Sequence, residues 1–232
     1  MKTQTKRKRE ASSLIDLDSA PERALKAIRK MIADGEIEAG ERIDQRELAK
    51  KLGVTTVPIR EALCWLEAEG LVQRIPGRGV FSRMYTVNEV EELIKIRGTL
   101  EALAASWAAE NITIKQGQEL TALAEKLADA KNYTSKQDIL KDHILFHEKI
   151  IAASGSTRLT DILRFTHITE HVLGRIVSQV WPVHAQNHLP VVEAILSGNP
   201  ETARTVMEAH TIPTYTERLG LLREKYGNQP II

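Results

Sequence analysis

A short connection between two helices, followed by a glycine-punctuated hairpin, sets the strongest limit on what this chain can fold into. In KKLGVTTVPIREAL, residues 50–63, Gly53 ends one helical segment and Pro58 stands where only the first turn of a new helix tolerates it. Gly53 and Val54 make a tight corner, and Thr55 is placed to cap the next helix. So short a link forces the two helices to pack against each other at a steep angle. The first of them, DQRELAKKLGV, has Asp44 as cap and Glu47 three residues on as its capping-box partner. The second repeats Ile59, Leu63 and Leu66 at helical spacing and closes at Gly70. An earlier helix starts at Ser19, with Pro21 and Glu22 in its first turn, shows Leu25, Ile28 and Ile32 on one face, and stops at Gly35. After Gly70 the period changes. Leu71–Ile75 and Val80–Ser82 are β-prone runs around Pro76-Gly77-Arg78-Gly79, which predicts a hairpin with a glycine-rich tip.

Three helices and a hairpin in this order, over residues 19–84, predict a winged helix-turn-helix domain. Thr56, Val57 and Arg60 project at the N-terminal end of the third helix, the part that enters a DNA major groove. There hydroxyls reach phosphates or base edges, and arginine addresses guanine. Arg46, near the start of the preceding helix, is positioned to clamp the backbone. Arg78, between two glycines at the hairpin tip, suits a phosphate or a narrow minor groove.

Charge and composition divide the chain at about the same place. Residues 1–83 hold 17 Lys and Arg against 13 Asp and Glu, a net of +4, while residues 84–232 hold 15 against 18, a net of −3. All seven histidines fall in the second part. A basic front and an acidic, histidine-bearing back predict two domains with different partners. Residues 1–18 are charged and aperiodic, as a flexible basic arm would be, and lack a secretory h-region. No apolar run approaches the roughly 18–20 residues of a membrane span. The single cysteine, Cys64, excludes an internal disulfide framework and points to a reducing cytoplasmic setting.

Beyond Thr86 only helical periodicity appears, and residues 86–226 read as an all-α bundle of about six helices. The first is long, with Val90, Leu93, Ile96, Leu100 and Leu103 as its apolar stripe. Further segments are expected at about 115–131, 136–153, 156–180, 184–197 and 200–224, with no repeat of fixed period. In DHILFHEKI, His143 and His147 lie one turn apart on one face. If the last two helices form an antiparallel hairpin across SGNP, His188 and His210 are equidistant from the turn and meet at one level of the bundle. Four imidazoles would then bracket a divalent metal. His184 has a different wheel angle from His188, and His167 and His171 stand apart; these three read as ordinary residues.

The run DGEIEAGERIDQRELAKKLGVTTVPIREALCWLEAEGLVQRIPGRGVFSR, residues 34–83, resembles the GntR family of bacterial transcription regulators. The resemblance carries that family's DNA contacts onto Arg46, Thr55, Thr56, Arg60, Arg78 and Gly79, with one departure: Thr56 stands where the family usually has arginine. The helical half is similar to the FCD ligand-binding domain of the FadR branch, through HILFHEKIIAASGS, HLPVVEAI and AHT. It matches at Phe146, His147, His188 and His210, and departs at His143, where the family has an acid; Asp142 is a poorer alternative, one residue off the face. An all-imidazole quartet suits Zn²⁺ or Ni²⁺. Arg97 matches a family arginine at the pocket mouth that pairs with a carboxylate effector, the alternative being a surface salt bridge to Glu101.

The resemblance implies a homodimeric repressor of palindromic operators on double-stranded DNA, released by a small organic acid bound in the metal-containing domain. Two other readings compete. One is a metal-dependent hydrolase with an appended DNA-binding domain, but hydrolysis needs a positioned general base, Glu148 turns away around its helix, and no HExxH arrangement is present. The other is a purely structural metal site.

Overall fold

The computed structural model describes residues 18–164, 187–227, 229 and 230. The arm expected over residues 1–17 lies outside these, as do the helical stretches expected over 165–180 and 184–186 and His167, His171 and His184.

The fold is mainly α, a winged helix-turn-helix head followed, among the described residues, by helices alone. The head opens with α1 (Ala20–Asp34), capped by Ser19 as expected, and Glu22, expected only as a first-turn charge, completes a reciprocal cap, Ser19 N donating to Glu22 Oε2 at 2.7 Å. α1 buries Ala24, Ile28, Met31 and Ile32, with Leu25 at the margin of the core. In α2 (Gln45–Leu52) the Asp44 carboxylate accepts from the amides of Arg46 at 2.8 Å and Glu47 at 3.1 Å. Gly53 ends α2 in the left-handed region at φ 66°, a geometry that costs a residue without Cβ least. α3 (Thr56–Ala68) begins three residues later and buries Ile59, Ala62, Leu63 and Leu66. Thr55 occupies its N-cap position, but its hydroxyl makes no capping bond, contrary to the expected role. The wing pairs β1 (Val72–Ile75) antiparallel with β2 (Gly79–Ser82), Val72 opposite Ser82 and Ile75 opposite Gly79. An isolated bridge from Arg42 to Phe81 ties the wing back to the segment before α2.

α4 (Val87–Asn111) leaves the head under a reciprocal cap between Thr86 and Glu89. α5 (Ile114–Ala128) ends earlier than its periodicity suggests, and Ala130–Asn132 form a single 3₁₀ turn. The remaining helices among the described residues are α6 (Lys136–Ala153), α7 (Thr157–Arg164), α8 (Leu189–Leu196) and α9 (Pro200–Tyr226). α9 packs most extensively along α4, antiparallel to α8 across the Ser197–Asn199 turn.

The stripe expected on α4 is not its buried face. Val90 is buried, but Leu93, Leu100 and Leu103 are half-buried and Ile96 is 53% exposed. The buried face carries Ile94, Arg97, Glu101, Ala104, Ala105 and Ala108. Small side chains let neighbouring helices approach closely, so this face packs inward despite its lower hydrophobicity.

Among the described residues two apolar cores result. One holds the head together and takes in Tyr85, Val87, Val90 and Ile94 from the start of α4 and Leu219 and Leu222 from the far half of α9. The other, with Phe146, Ile150, Leu120, Leu127, Val191, Val192, Ile195 and Met207, fills the helical part. α4 and α9 therefore enter both.

Candidate DNA-reading surface and histidine cluster

On the head, the polar residues singled out in the sequence stand along the outer edge of α2, α3 and the wing. Arg46, Thr55 and Arg60 are exposed and Thr56 is half-buried. Arg60 Nε donates to Gln45 Oε1 at 3.3 Å, which sets the starts of α2 and α3 side by side. Arg78 is exposed at the wing tip, its guanidinium 5.9 Å from the Phe81 ring centroid. Gly79 has φ 110°, and a Cβ built there would meet Arg42 Nε at 3.3 Å. Its missing side chain thus seats Arg42, an exposed cation on the same rim that the sequence pattern does not single out.

In the helical part, α6 brings His143 and His147 onto one face, and His188 immediately precedes α8. Nitrogen atoms of these three all lie within 4.8 Å of one another. His143 Nδ1 is 3.1 Å from His188 Nε2. His210, half-buried on α9, lays its ring 4.6 Å from that of His188 and 5.8 Å from that of His147, centroid to centroid. It flanks the group of three without sharing its mutual spacing. Asp142 is engaged elsewhere, accepting from the Tyr133 hydroxyl at 2.9 Å and pairing with Lys126 at 2.6 Å.

Behind the imidazoles lies a buried ion pair. Arg97 and Glu101, one turn apart on α4, are each 1% exposed, with Arg97 Nε 2.7 Å from Glu101 Oε1. The pair weighed in the sequence as a surface contact is therefore an interior one, and Arg97 faces Glu101 rather than solvent. Glu101 Oε2 in turn lies 3.3 Å from His147 Nδ1, a contact that is ionic when the imidazole is protonated. Burial by itself raises the Glu101 pKa, but the Arg97 guanidinium, helped by the neighbouring His147, outweighs it and brings the carboxyl down to about 2. A carboxylate behind a metal-ligating imidazole holds its orientation and raises its basicity.

The donor set fits a divalent ion. His147 is 1% exposed, yet neither of its ring nitrogens makes a hydrogen bond among the described residues. Buried polar atoms are nearly always satisfied, and an ion is one of the partners that completes them. Two imidazole nitrogens about 2.05 Å from one zinc are about 2.9 Å apart at a right angle and about 3.3 Å apart at a tetrahedral angle. The 3.1 Å between His143 and His188 lies between these and also suits an imidazole–imidazole hydrogen bond.

Comparison with known proteins agrees with both halves. Residues 21–81 match the gntR family of bacterial regulatory proteins, and residues 92–212 match the FCD domain. The chain is 30% identical over 191 residues to the uncharacterized HTH-type transcriptional regulator YdhC of Bacillus subtilis, covering 79% of this chain and 84% of that protein. It is 26% identical over 181 residues to a probable D-xylose utilization operon transcriptional repressor of Paenarthrobacter nicotinovorans, covering 77% and 80%. Among solved structures, Escherichia coli McbR/YncC superposes with a TM-score of 0.74 at 22% identity, over 89% of this chain and 99% of that one. A GntR-type regulator from Rhodococcus sp. RHA1 gives 0.68 at 21%, over 88% and 99%.

Proposed function

Because this chain belongs to the GntR family of bacterial regulatory proteins and carries an FCD domain, it is a transcription regulator and not an enzyme, and we propose that its hold on DNA is set by a small organic acid bound beside a divalent metal. The matched families are regulators, which leaves the hydrolase alternative without support. The observation that carries the reading is the convergence of His143, His147 and His188 in front of Glu101, whose helix α4 also enters the core of the head.

In this reading the three imidazoles, with His210 completing the shell, hold zinc or nickel. The ion would supply a positive charge with coordination positions left for an anionic effector. His143, in place of an acid, keeps the donor set neutral and so favours a carboxylate ligand. Arg97 acts through Glu101, which orients His147. Arg46, Thr55, Thr56, Arg60, Arg78 and Gly79 carry the DNA contacts, Gly79 by seating Arg42. The protein works as a cytoplasmic repressor and as a homodimer, since two half-sites about one helical turn apart need two heads. Ile96, Leu100, Leu103 and Trp107, spaced 4-3-4 along the outer side of α4 with Ile96 and Trp107 exposed, support a self-association seam there. Among the described residues no helix is long and apolar enough to cross a membrane.

Elemental analysis of the purified full chain beside His147→Ala tests the metal. About one zinc or nickel per chain, lost in the variant while binding to DNA persists, is the expected result. Equal metal in both proteins, or none in either, would remove the ion from the reading.

A further inference from the structure

Along α3 the exposed residues are Val57, Arg60, Glu61, Cys64 and Trp65, with Ala68 at the end. At the leading end, the part that enters a major groove, the polar series is broken by an aliphatic: Val57 is 57% exposed in the first turn, next to Pro58. Its neighbours on that edge, Thr55 and Arg60, carry hydrogen-bonding groups. An apolar side chain has one chemical counterpart on the floor of the major groove, the C5-methyl of thymine. Valine's branching at Cβ confines its rotamer, so little freedom is lost when it docks. Half-buried Thr56 beside it offers a single hydroxyl, not the forked donor that reads guanine.

We propose that Val57 is a specificity-determining residue that packs its isopropyl group on a thymine methyl, so that each half-site carries an A·T pair at the position under the start of α3. This rests on the head reading DNA as proposed above. The contact is apolar, so discrimination at that base pair is insensitive to salt, unlike the phosphate contacts of Arg46 and Arg78.

The test changes the DNA instead of the fold. Duplexes are selected from a randomised pool by the full-length protein, and each thymine of the selected half-site is replaced in turn by deoxyuridine, which lacks only the methyl. Fluorescence anisotropy then gives the affinity of the wild type and of Val57→Ala for each duplex. One position should lose about three- to fivefold per half-site for the wild type, the worth of one buried methyl. Val57→Ala should bind the thymine and uracil duplexes alike at that position while keeping its thermal melting temperature. Equal binding of thymine and uracil by the wild type at every position would overturn the proposal. So would discrimination that survives undiminished in Val57→Ala. Failure to enrich any sequence would instead overturn the DNA-reading role on which it rests.

Discussion

His147 is a buried imidazole set against a buried ion pair, and its surroundings are costly to disturb. Arg97 and Glu101 are both 1% exposed, so truncating either strands a charge in the interior. Glu101→Ala should lower the stability of the chain by about 3–5 kcal/mol. Denaturant unfolding checks this, and a loss below about 1 kcal/mol would mean that water already reaches the pair. This feature is only half legible in the sequence. The i, i+4 spacing of Arg97 and Glu101 announces a pair, but not its depth, because burial is decided by which helices cover α4. The histidines are more legible, since His143 and His147 share a turn and His188 and His210 flank one hairpin. His210 lays its ring beside those of His147 and His188. Thr55 differs from expectation in lacking a capping bond, and the seat that Gly79 gives Arg42 is not legible in the sequence, since both depend on contacts that spacing does not encode.

At the level of elements, caps and turns are the readable part, because each is a bond between residues three or four apart. Ser19 and Asp44 cap where the chain signals them, although among the described residues Glu47 does not return the capping-box bond expected of it. Thr86 with Glu89 forms a cap that the sequence pattern does not single out. α4 misleads because it offers two apolar faces, one of large residues and one of alanines, and the small one is buried. The large one remains outward, and this has a measurable consequence. Replacing Ile96 and Trp107 together by glutamate should halve the sedimenting mass while leaving helical content intact; a mass unchanged from wild type would place self-association elsewhere. The joint between head and α4 makes a second prediction. The Tyr85 hydroxyl donates to the Gly70 carbonyl at 2.5 Å, and burial pushes its pKa up to about 12. A raised value in the folded state means that its contribution is whole below pH 10 and is lost as pH climbs from about 10 to 12. The upper bound is about 2–3 kcal/mol. Tyr85→Phe should therefore show a shallower alkaline loss of stability than the wild type over that interval, and parallel curves would dismiss the effect.

For the whole molecule, the arrangement of α4 and α9 matters more than either core alone. α4 presents Glu101 to His147 and sends Val87, Val90 and Ile94 into the head; α9 presents His210 and sends Leu219 and Leu222 into the same core. His210 and Leu219 are nine residues apart, about 14 Å along a helix. A ligand that draws His210 toward the other imidazoles pulls on a rod whose far end is clamped by the head, and cores this densely packed pass on displacements instead of absorbing them. A change in affinity for two half-sites requires only that the heads shift relative to each other, because their spacing is fixed by the DNA. Shortening the clamp tests this path. Leu222 is fully buried, so Leu222→Ala should cost about 2–5 kcal/mol. If α9 carries the signal, the variant, assayed below its melting transition, keeps its metal but loses most of the difference in DNA affinity between metal-loaded and chelator-treated protein. A variant as unstable as expected that still shows the full difference would mean that α4 alone connects the histidines to the DNA.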